Sequence, residues 1–503
     1  MDEETPQALP NLDFKIMQGN SLLEQYKGVD LSAMTERKLD STGMYSFFED
    51  MIDVYRRELR EMLAEYYDCT DHNAKQSLRT RIIDNVKQQL QEQHVNVDFG
   101  DLDLSGTDQF FLWHTWFHDV FSNGGFDIVI GNPPYVQVKK GTVSVDRFPY
   151  SEGKDKGKQN LYKLFVEHSY NLSNLNGICC LITQSSLMCD ISAQYTRELL
   201  LKNTTISHII EFPKVAPHKE GQLFKDALVA TCITLFRKEK ANSNHTFKLS
   251  AWNDLTTLDK FDFAEIQQSL PISFYPNGYC FPLIRRQDFS IIKKMNTDTV
   301  FLDCYIKKSS QGDFNLTNES FCFSTHITDV KMYRGCHIHR CYIDKEVEEY
   351  IQNEYKKNII NENESKTFLV CQQISGMTDN MRFNMALSIN ERCLFGNSVN
   401  KLELIETINP RFILAIINST IMDWYFRKTS TNNHVNIYEL EQLPIPKATT
   451  EQQKHIIAFV EDIMQQKKSN PNADISSLES EIDRLVYQLY GLTEEEIAVI
   501  ERS

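Results

Sequence analysis

The chain has 503 residues, 41% of them hydrophobic, and a formal net charge of −16. That length allows more than one domain, and the apolar fraction fills a sizeable core. No apolar run is long enough to cross a bilayer. The acidic segment Met1–Thr5 lacks the basic and apolar regions of a signal peptide, so a cytoplasmic protein with no membrane partner is expected. The acidic balance argues against a nonspecific nucleic-acid coat but leaves room for a local basic groove. The twelve cysteines form no regular framework and read as reduced thiols.

Asp13–Gln18 alternates and predicts a short strand that ends at Gly19-Asn20-Ser21. Residues 34–94 carry apolar positions at helical spacing with no Pro or Gly after Gly43, a long helical insertion. Phe110–Phe121 predicts an aromatic amphipathic helix stopped by Asn123-Gly124-Gly125, and Phe126–Ile130 a buried strand. Helix and strand then alternate: Leu161–Leu172, Gly177–Thr183, Tyr195–Lys202, Ile206–Phe212 and Ala227–Phe236. This rhythm predicts an α/β sheet with buried, nearly continuous apolar strands. After Lys240 the texture becomes mixed. Short strands and polar loops fill 286–445, with one apolar helix at Pro410–Phe426, and the tail from Glu451 is helical, split at Ser469–Asn472. The expected division is a catalytic core at 1–245 with a helical insertion at 34–121, a linker at 246–284, a recognition domain at 285–447 and a helical tail at 448–503.

The segment that carries chemistry is Phe126-Asp-Ile-Val-Ile-Gly-Asn-Pro-Pro-Tyr135. Proline fixes φ, removes an N–H and pushes the preceding residue to extended geometry. The turn therefore presents acceptors, the Asn132 side-chain oxygen and the Pro133 carbonyl, at a strand's carboxyl end, where open α/β sheets bind ligands. Two acceptors on the hydrogens of an adenine amino group draw its nitrogen toward tetrahedral geometry and stabilise the positive charge of methyl transfer. A base inside a duplex has to be flipped out, and Tyr135 offers a face for it to stack on. As a plain turn, Asn-Pro-Pro-Tyr is an ordinary chain breaker; the apolar strand before it and the strand–helix rhythm after it favour the functional reading. The basic residues just beyond, Lys139, Lys140, Lys154, Lys156 and Lys158, are candidates for DNA phosphate contact, against the bland reading of a solvated loop.

With these residues the sequence resembles the amino-class DNA adenine methyltransferases with an Asn-Pro-Pro-Tyr motif. It is most similar to type II restriction-modification enzymes in which catalytic and target-recognition domains share a chain. The similarity takes in most of the chain apart from the helical insertion. The resemblance implies an S-adenosylmethionine-dependent, Rossmann-like methyltransferase sheet, site-specific methylation of adenine in double-stranded DNA, and possibly a companion restriction nuclease. It implies that Asn132, Pro133 and Tyr135 are catalytic. It further implies that Asn20, Asn132 and Leu161 contact the cofactor, and that Phe236 is a second aromatic against the flipped base. Met332–Tyr342, Ile416–Ser419 with Trp424–Phe426, Leu443–Pro446 and Glu481–Tyr490 look like this family's recognition domains and tail.

One departure stands out. The family's glycine loop for S-adenosylmethionine is not seen before Asn20, and the first strands of its sheet look missing. A truncated chain, a split subunit or a mis-started frame is expected, with an upstream segment or subunit carrying the loop as partner. The alternative reading is a non-catalytic specificity subunit or inactive remnant. Cys336, His337, His339 and Cys341 are too tightly spaced for a four-ligand zinc site, so no metal is expected. Glu354-Tyr-Lys356 has nuclease-like spacing but lies in a charged helical stretch, and no phosphate-binding loop is present.

Overall fold

The computed structural model describes residues 14–27, 29–31, 51–93, 97–102, 104, 109–215, 221, 223–224, 229–375 and 381–502. It separates into two compact units. The first is Met1–Lys154, Lys158–Leu181 and Phe236–Glu239; the second is Asp155–Gly157, Ile182–Leu235 and Lys240–Ser503.

In the first unit the expected insertion is a helix pair, α1 (Met51–Asp68) and α2 (His72–Gln93). Asp71 Oδ1 accepts the Ala74 N–H at 2.8 Å and so starts α2. Leu59, Met62 and Tyr66 of α1 meet Leu78, Ile82, Val86 and Leu90 of α2, the i, i+3, i+4 stripe of a core-facing helix. Phe99, Leu102, Phe110 and Leu112 close the same cluster.

The expected strand at 13–18 is a correction. Asp13 lies outside the described residues, and Phe14–Gln18 is irregular. Phe14 has φ +58° and packs on Tyr66 and Trp116, while Ile16 is exposed, so the alternation faces no sheet. The predicted helix at 110–121 is two short turns, Trp113–Trp116 and His118–Ser122. Gly124 and Gly125 follow at φ +96° and +121°, and a Cβ on Gly125 would lie 2.5 Å from the Leu172 carbonyl.

The chain then enters β1 (Phe126–Gly131), the small hairpin β2 (Gln137–Val138) with β3 (Gln159–Asn160), α3 (Leu161–Leu172) and β4 (Ser173–Gln184). β1 and β4 are parallel, with Ile128 opposite Ile178 and Gly131 opposite Leu181.

In the second unit, β5 (Thr205–Phe212) follows, and β6 (Thr231–Arg237) begins there and ends in the first unit. Within the first unit Lys238 N–H donates to the Gly177 carbonyl at 2.9 Å. Within the second, the Cys232 thiol reaches the Gln184 carbonyl, so β6 runs opposite to β4. β7 (Thr246–Ser250) is parallel to β5, and β8 (Ala264–Gln267) is antiparallel to β7. The first unit thus holds the order β1-β4-β6 and the second β4-β6-β5-β7-β8, a mixed sheet. Residues 246–267, expected as linker, are part of it: Phe247, Leu249, Ala264 and Ile266 are buried at period-two spacing.

Two features of β1 differ from the sequence reading. β1 is hydrogen-bonded on one side only among the described strands, and Ile128 and Ile130 are 61% and 77% exposed rather than buried. In the interior of a parallel sheet such side chains would be covered on both faces.

The rest of the second unit is built on an antiparallel sheet. β9 (Ile306–Gln311), β10 (Thr367–Gln372), β11 (Met385–Ile389) and β12 (Val399–Leu404) lie in the order β9-β12-β10-β11. Lys401 on β12 is buried and holds Asp313 at 2.8 Å; Asp313 also accepts the Phe395 N–H at 2.9 Å and the Asn363 amide at 3.1 Å. The predicted single helix at 410–426 is two, α4 (Pro410–Ile417) and α5 (Thr420–Thr429). Ser419 caps the second, and Asn418 leaves the helix to bond both backbone groups of Met385. The tail forms α6 (Thr450–Ser469), α7 (Ser476–Leu489) and α8 (Glu494–Glu501).

Candidate active site

Asn132 follows β1 directly. Its side chain is exposed and Pro133 is buried, so the turn is anchored by proline and open at the amide. The Tyr135 hydroxyl donates to Asn132 Oδ1 at 3.5 Å, a long bond that a ligand donor displaces at little cost. Val136 then uses its carbonyl to accept the Leu161 N–H at 3.0 Å, and β2 pairs with β3, so the turn is tied to the start of α3. Asn160 caps that helix through the Tyr162 N–H.

The Asn20 turn reaches the same place from the other end of the unit. Asn20 Oδ1 accepts the Leu22 N–H at 3.2 Å, and the Trp113 indole donates to the Ser21 carbonyl at 2.9 Å. Gly19 is required here, because a Cβ would sit 2.7 Å from the Phe110 carbonyl. One apolar cluster joins the pieces: Leu22 and Leu23 after Asn20, Val138 after the Asn132 turn, and Leu161, Leu164 and Phe165 of α3, closed by Val143 and Phe148. The segments that follow the Asn20 and Asn132–Tyr135 turns thus pack with Leu161 at the start of α3 in one cluster.

Phe236 is a correction. Its side chain is 1% exposed. β6 runs opposite to β4 and so carries Phe236 toward the beginning of β4, the end that pairs with Phe126 rather than with Gly131. It is a core residue with no face for a base. The start of β6 lies at the other end of β4, and the described aromatic in the loop before it is the half-buried Phe224.

The lysines lie on the connection between β2 and β3. Lys139, Lys140, Lys154, Lys156 and Lys158 are all exposed. Beneath those of the first unit, two buried carboxylates hold the loop. Glu152 accepts the Gly141 N–H at 2.5 Å and the Gln159 amide at 2.8 Å. Glu167 of α3 accepts the Ser151 N–H at 2.7 Å and its hydroxyl at 2.6 Å. Burial raises the Glu167 pKa against these bonds. In the second unit, Asp155 is wholly buried and accepts the Tyr195 N–H and the Thr196 hydroxyl. The lysines thus project from an ordered scaffold.

Sequence reasoning passed over a further group. Glu24, 1% exposed, accepts the His114 N–H, lies 2.8 Å from His114 Nδ1 and pairs with Arg147 at 3.5 Å. It ties the Asn20 turn to the lysine loop over more than a hundred residues, a separation no local pattern signals. Behind it His168 is buried, its pKa lowered to about 3 by burial, with Arg147 and His114 adding to the effect. It stays neutral and packs edge-on to Trp113.

Comparison with known proteins matches two regions of the chain. Residues 30–217 match the Eco57I restriction-modification methylase family, and residues 329–445 match the TaqI-like C-terminal specificity domain. The first match runs through the helix pair, which the sequence reading had set outside the resemblance. The chain is 21% identical over 555 residues to a putative type II restriction enzyme and methyltransferase of Methanocaldococcus jannaschii. The alignment covers 96% of this chain and 45% of that protein, so the chain spans less than half of its relative's length. Among solved structures, the type IIL restriction-modification enzyme MmeI in complex with DNA is similar at 12% identity and a TM-score of 0.46. That match covers 90% of this chain and 70% of the other. The type IIG restriction endonuclease BpuSI is similar at 11% identity and a TM-score of 0.31, over 74% of this chain and 54% of the other.

Proposed function

From a chain that joins an Eco57I-type restriction-modification methylase region to a TaqI-like specificity domain, we propose site-specific methylation of the exocyclic amino group of adenine in double-stranded DNA. The observation that carries this reading is the convergence of the Asn20 turn, the Asn132–Tyr135 turn and the start of α3 on one apolar cluster. Asn132 Oδ1 and the Pro133 carbonyl accept the two amino hydrogens of a flipped adenine. The nitrogen lone pair is thereby freed for bond formation, and the charge that develops is stabilised where it arises. After transfer one proton leaves the nitrogen for solvent. Tyr135 stacks on the base, and the lysines of the β2–β3 connection contact phosphates. Base readout falls to 285–447, and a companion nuclease fits the restriction-modification setting.

S-adenosylmethionine supplies the methyl group when bound. The Asn20 turn, Asn132 and Leu161 fit its adenine and reactive ends. Backbone amides of a glycine loop, which hold such a cofactor's remaining parts, are not among the described residues. The open edge of β1 supports a further proposal: a strand from chain outside these residues, or from a second polypeptide, pairs there and brings the loop. The same edge favours a second reading, a specificity protein that binds DNA and transfers nothing.

The test is calorimetry with S-adenosylmethionine, followed by nucleoside analysis of DNA incubated with cofactor. The isolated chain is expected to bind the cofactor weakly or not at all, with a dissociation constant far above the micromolar range of about −8 kcal/mol. Adding a strand-bearing segment should restore binding and yield N6-methyladenine. Micromolar binding by the chain alone refutes the edge proposal. Methylcytosine as the product refutes the adenine reading, and DNA binding without product in the completed protein selects the specificity protein.

Tyr135 separates stacking from hydrogen bonding. Tyr135→Phe keeps the ring and removes the hydroxyl that reaches Asn132 Oδ1. Methylation is expected to stay within about threefold, whereas Tyr135→Ala loses stacking worth about 1–3 kcal/mol, roughly ten- to a hundredfold in rate. Equal rates for the two variants in a single-turnover assay would remove Tyr135 from base contact.

A further inference from the structure

The second unit contains a cavity of about 390 Å³ within the size range of small-molecule sites. Its wall carries five cations, Arg285, Arg382, Arg427, Lys428 and Arg502, against one carboxylate, Asp288. In a protein of net charge −16 this is a local inversion of sign. Two of the cations are neutralised in place: Lys428 lies 3.2 Å from Asp288, and Arg427 lies 2.7 Å from Asp423. The bonds of the other two well-held cations go to neutral acceptors. Arg382, 2% exposed, donates to the Ser375 hydroxyl at 2.9 Å and the Asn432 carbonyl at 2.8 Å, and its guanidinium stacks on Phe426. Arg285 donates to the carbonyls of Trp252 at 2.7 Å and Ala251 at 3.2 Å. These guanidinium groups are fixed in direction by neutral acceptors, with the buried carboxylates Asp423 and Glu439 acting on Arg382 and Glu211 on Arg285 only through space, an arrangement that can recognise a phosphate.

The wall is also aromatic. Trp252 and Trp424 line it, and the Lys428 ammonium lies 5.9 Å and 5.3 Å from their ring centroids. Trp252 stands at φ +61°, a conformation costly for a bulky residue. It is held there by two bonds: its backbone N–H donates to Glu211 Oε2 at 2.7 Å and its indole N–H to the Leu283 carbonyl at 3.3 Å. Backbone strain of this kind collects where a side chain has to be presented in a set direction.

We propose that this cavity is a nucleotide site. It takes a nucleoside 5′-phosphate, with the phosphate among Arg285, Arg382 and Arg502 and the base against the indole of the half-buried Trp252, backed by the buried Trp424. The nucleotide is either free in solution or the phosphorylated end of a nucleic-acid strand. The assignment does not depend on methyl transfer.

Calorimetry and tryptophan fluorescence on the 503-residue chain test it, with AMP, adenosine, inorganic phosphate and a 5′-phosphorylated oligonucleotide as probes. AMP is expected to bind at one site and to change the fluorescence, with adenosine and phosphate each at least tenfold weaker. Arg502→Glu, an exposed position at the end of α8, should weaken AMP at least tenfold with an unchanged melting temperature. Binding of the oligonucleotide but not AMP, weakened by the same variant, keeps the site and assigns the nucleotide to a strand end. Phosphate binding as tightly as AMP, no binding by any probe, or AMP binding unaffected by Arg502→Glu overturns the proposal.

Discussion

Asn132→Ala, in the complete protein, is expected to lower methylation by at least a hundredfold while DNA affinity changes by less than twofold. The asymmetry follows from what the side chain does. Its amide is exposed beyond β1 and its one described partner is the distant Tyr135 hydroxyl, so removal costs the fold little. It removes an acceptor whose interaction strengthens as charge develops on the amino nitrogen, and losing such a group costs about 2.7–4 kcal/mol. The phosphate contacts proposed for the lysine loop are untouched by the substitution, so affinity is expected to hold. Single-turnover methylation and a binding isotherm, measured side by side, decide it. Activity within tenfold of the parent would refute the mechanism, and a parallel loss of binding would make Asn132 a DNA contact.

Asp313→Ala is expected to lower stability of the recognition part by about 3–5 kcal/mol, the penalty for stranding a buried charge. The Lys401 and Asp313 side chains are 7% and 4% exposed. Lys401 also donates to Asn363 Oδ1 at 2.5 Å and lies over the Phe368 ring at 4.1 Å. The carboxylate in turn accepts from Phe395 N–H and the Asn363 amide, so its removal leaves Phe395 N–H without that acceptor and takes one of two acceptors from each of Lys401 and Asn363. Chemical denaturation followed by a probe in the second unit reads the loss. The double change Asp313→Leu with Lys401→Met should recover most of it, since an apolar pair of similar volume replaces a buried ion pair at little cost. A loss below 1 kcal/mol in the single variant would show that the pair is solvated.

Much of the catalytic layout was legible because it is local. The Asn-Pro-Pro-Tyr turn, the capped start of α3 and the apolar runs of β4 and β5 announce themselves within ten residues. What was hidden depends on neighbours distant in sequence. The run Phe126–Ile130 is as apolar as any buried strand, and composition cannot tell that Ile128 and Ile130 lack cover. Phe236 ends a plausible strand, but its side of the site depends on the direction of β6, which only pairing with Gly177 and Gln184 fixes. Phe14–Gln18 alternates like a strand, yet Phe14 at φ +58° turns the chain to pack on Tyr66. The Glu24, His114 and Arg147 group joins three segments and leaves no pattern in any of them. Residues 246–267 carry a clear period of two that was subordinated to a change of texture at Lys240.

The brace beneath Trp252 makes the protein sensitive to protons. Glu211 is 3% exposed, and burial raises its pKa to about 7, against the Trp252 N–H bond and the charges of Arg285 and Lys428. An unfolded glutamate titrates at its ordinary value of 4.5, so between that value and about 7 the folded chain holds a proton that the unfolded chain has released. Stability is unaffected by Glu211 below pH 4.5, falls as the pH climbs, and has lost about 3 kcal/mol once the group is ionised in both states. Melting temperatures recorded from pH 5 to pH 8 should therefore decline through this group, and Glu211→Gln, which cannot ionise, should flatten that part of the profile. A variant as steep as the parent would place the sensitivity elsewhere. For the parent, the fold around the strained tryptophan is most stable on the acid side of neutrality, although the Trp252 N–H bond itself is stronger to the ionised carboxylate.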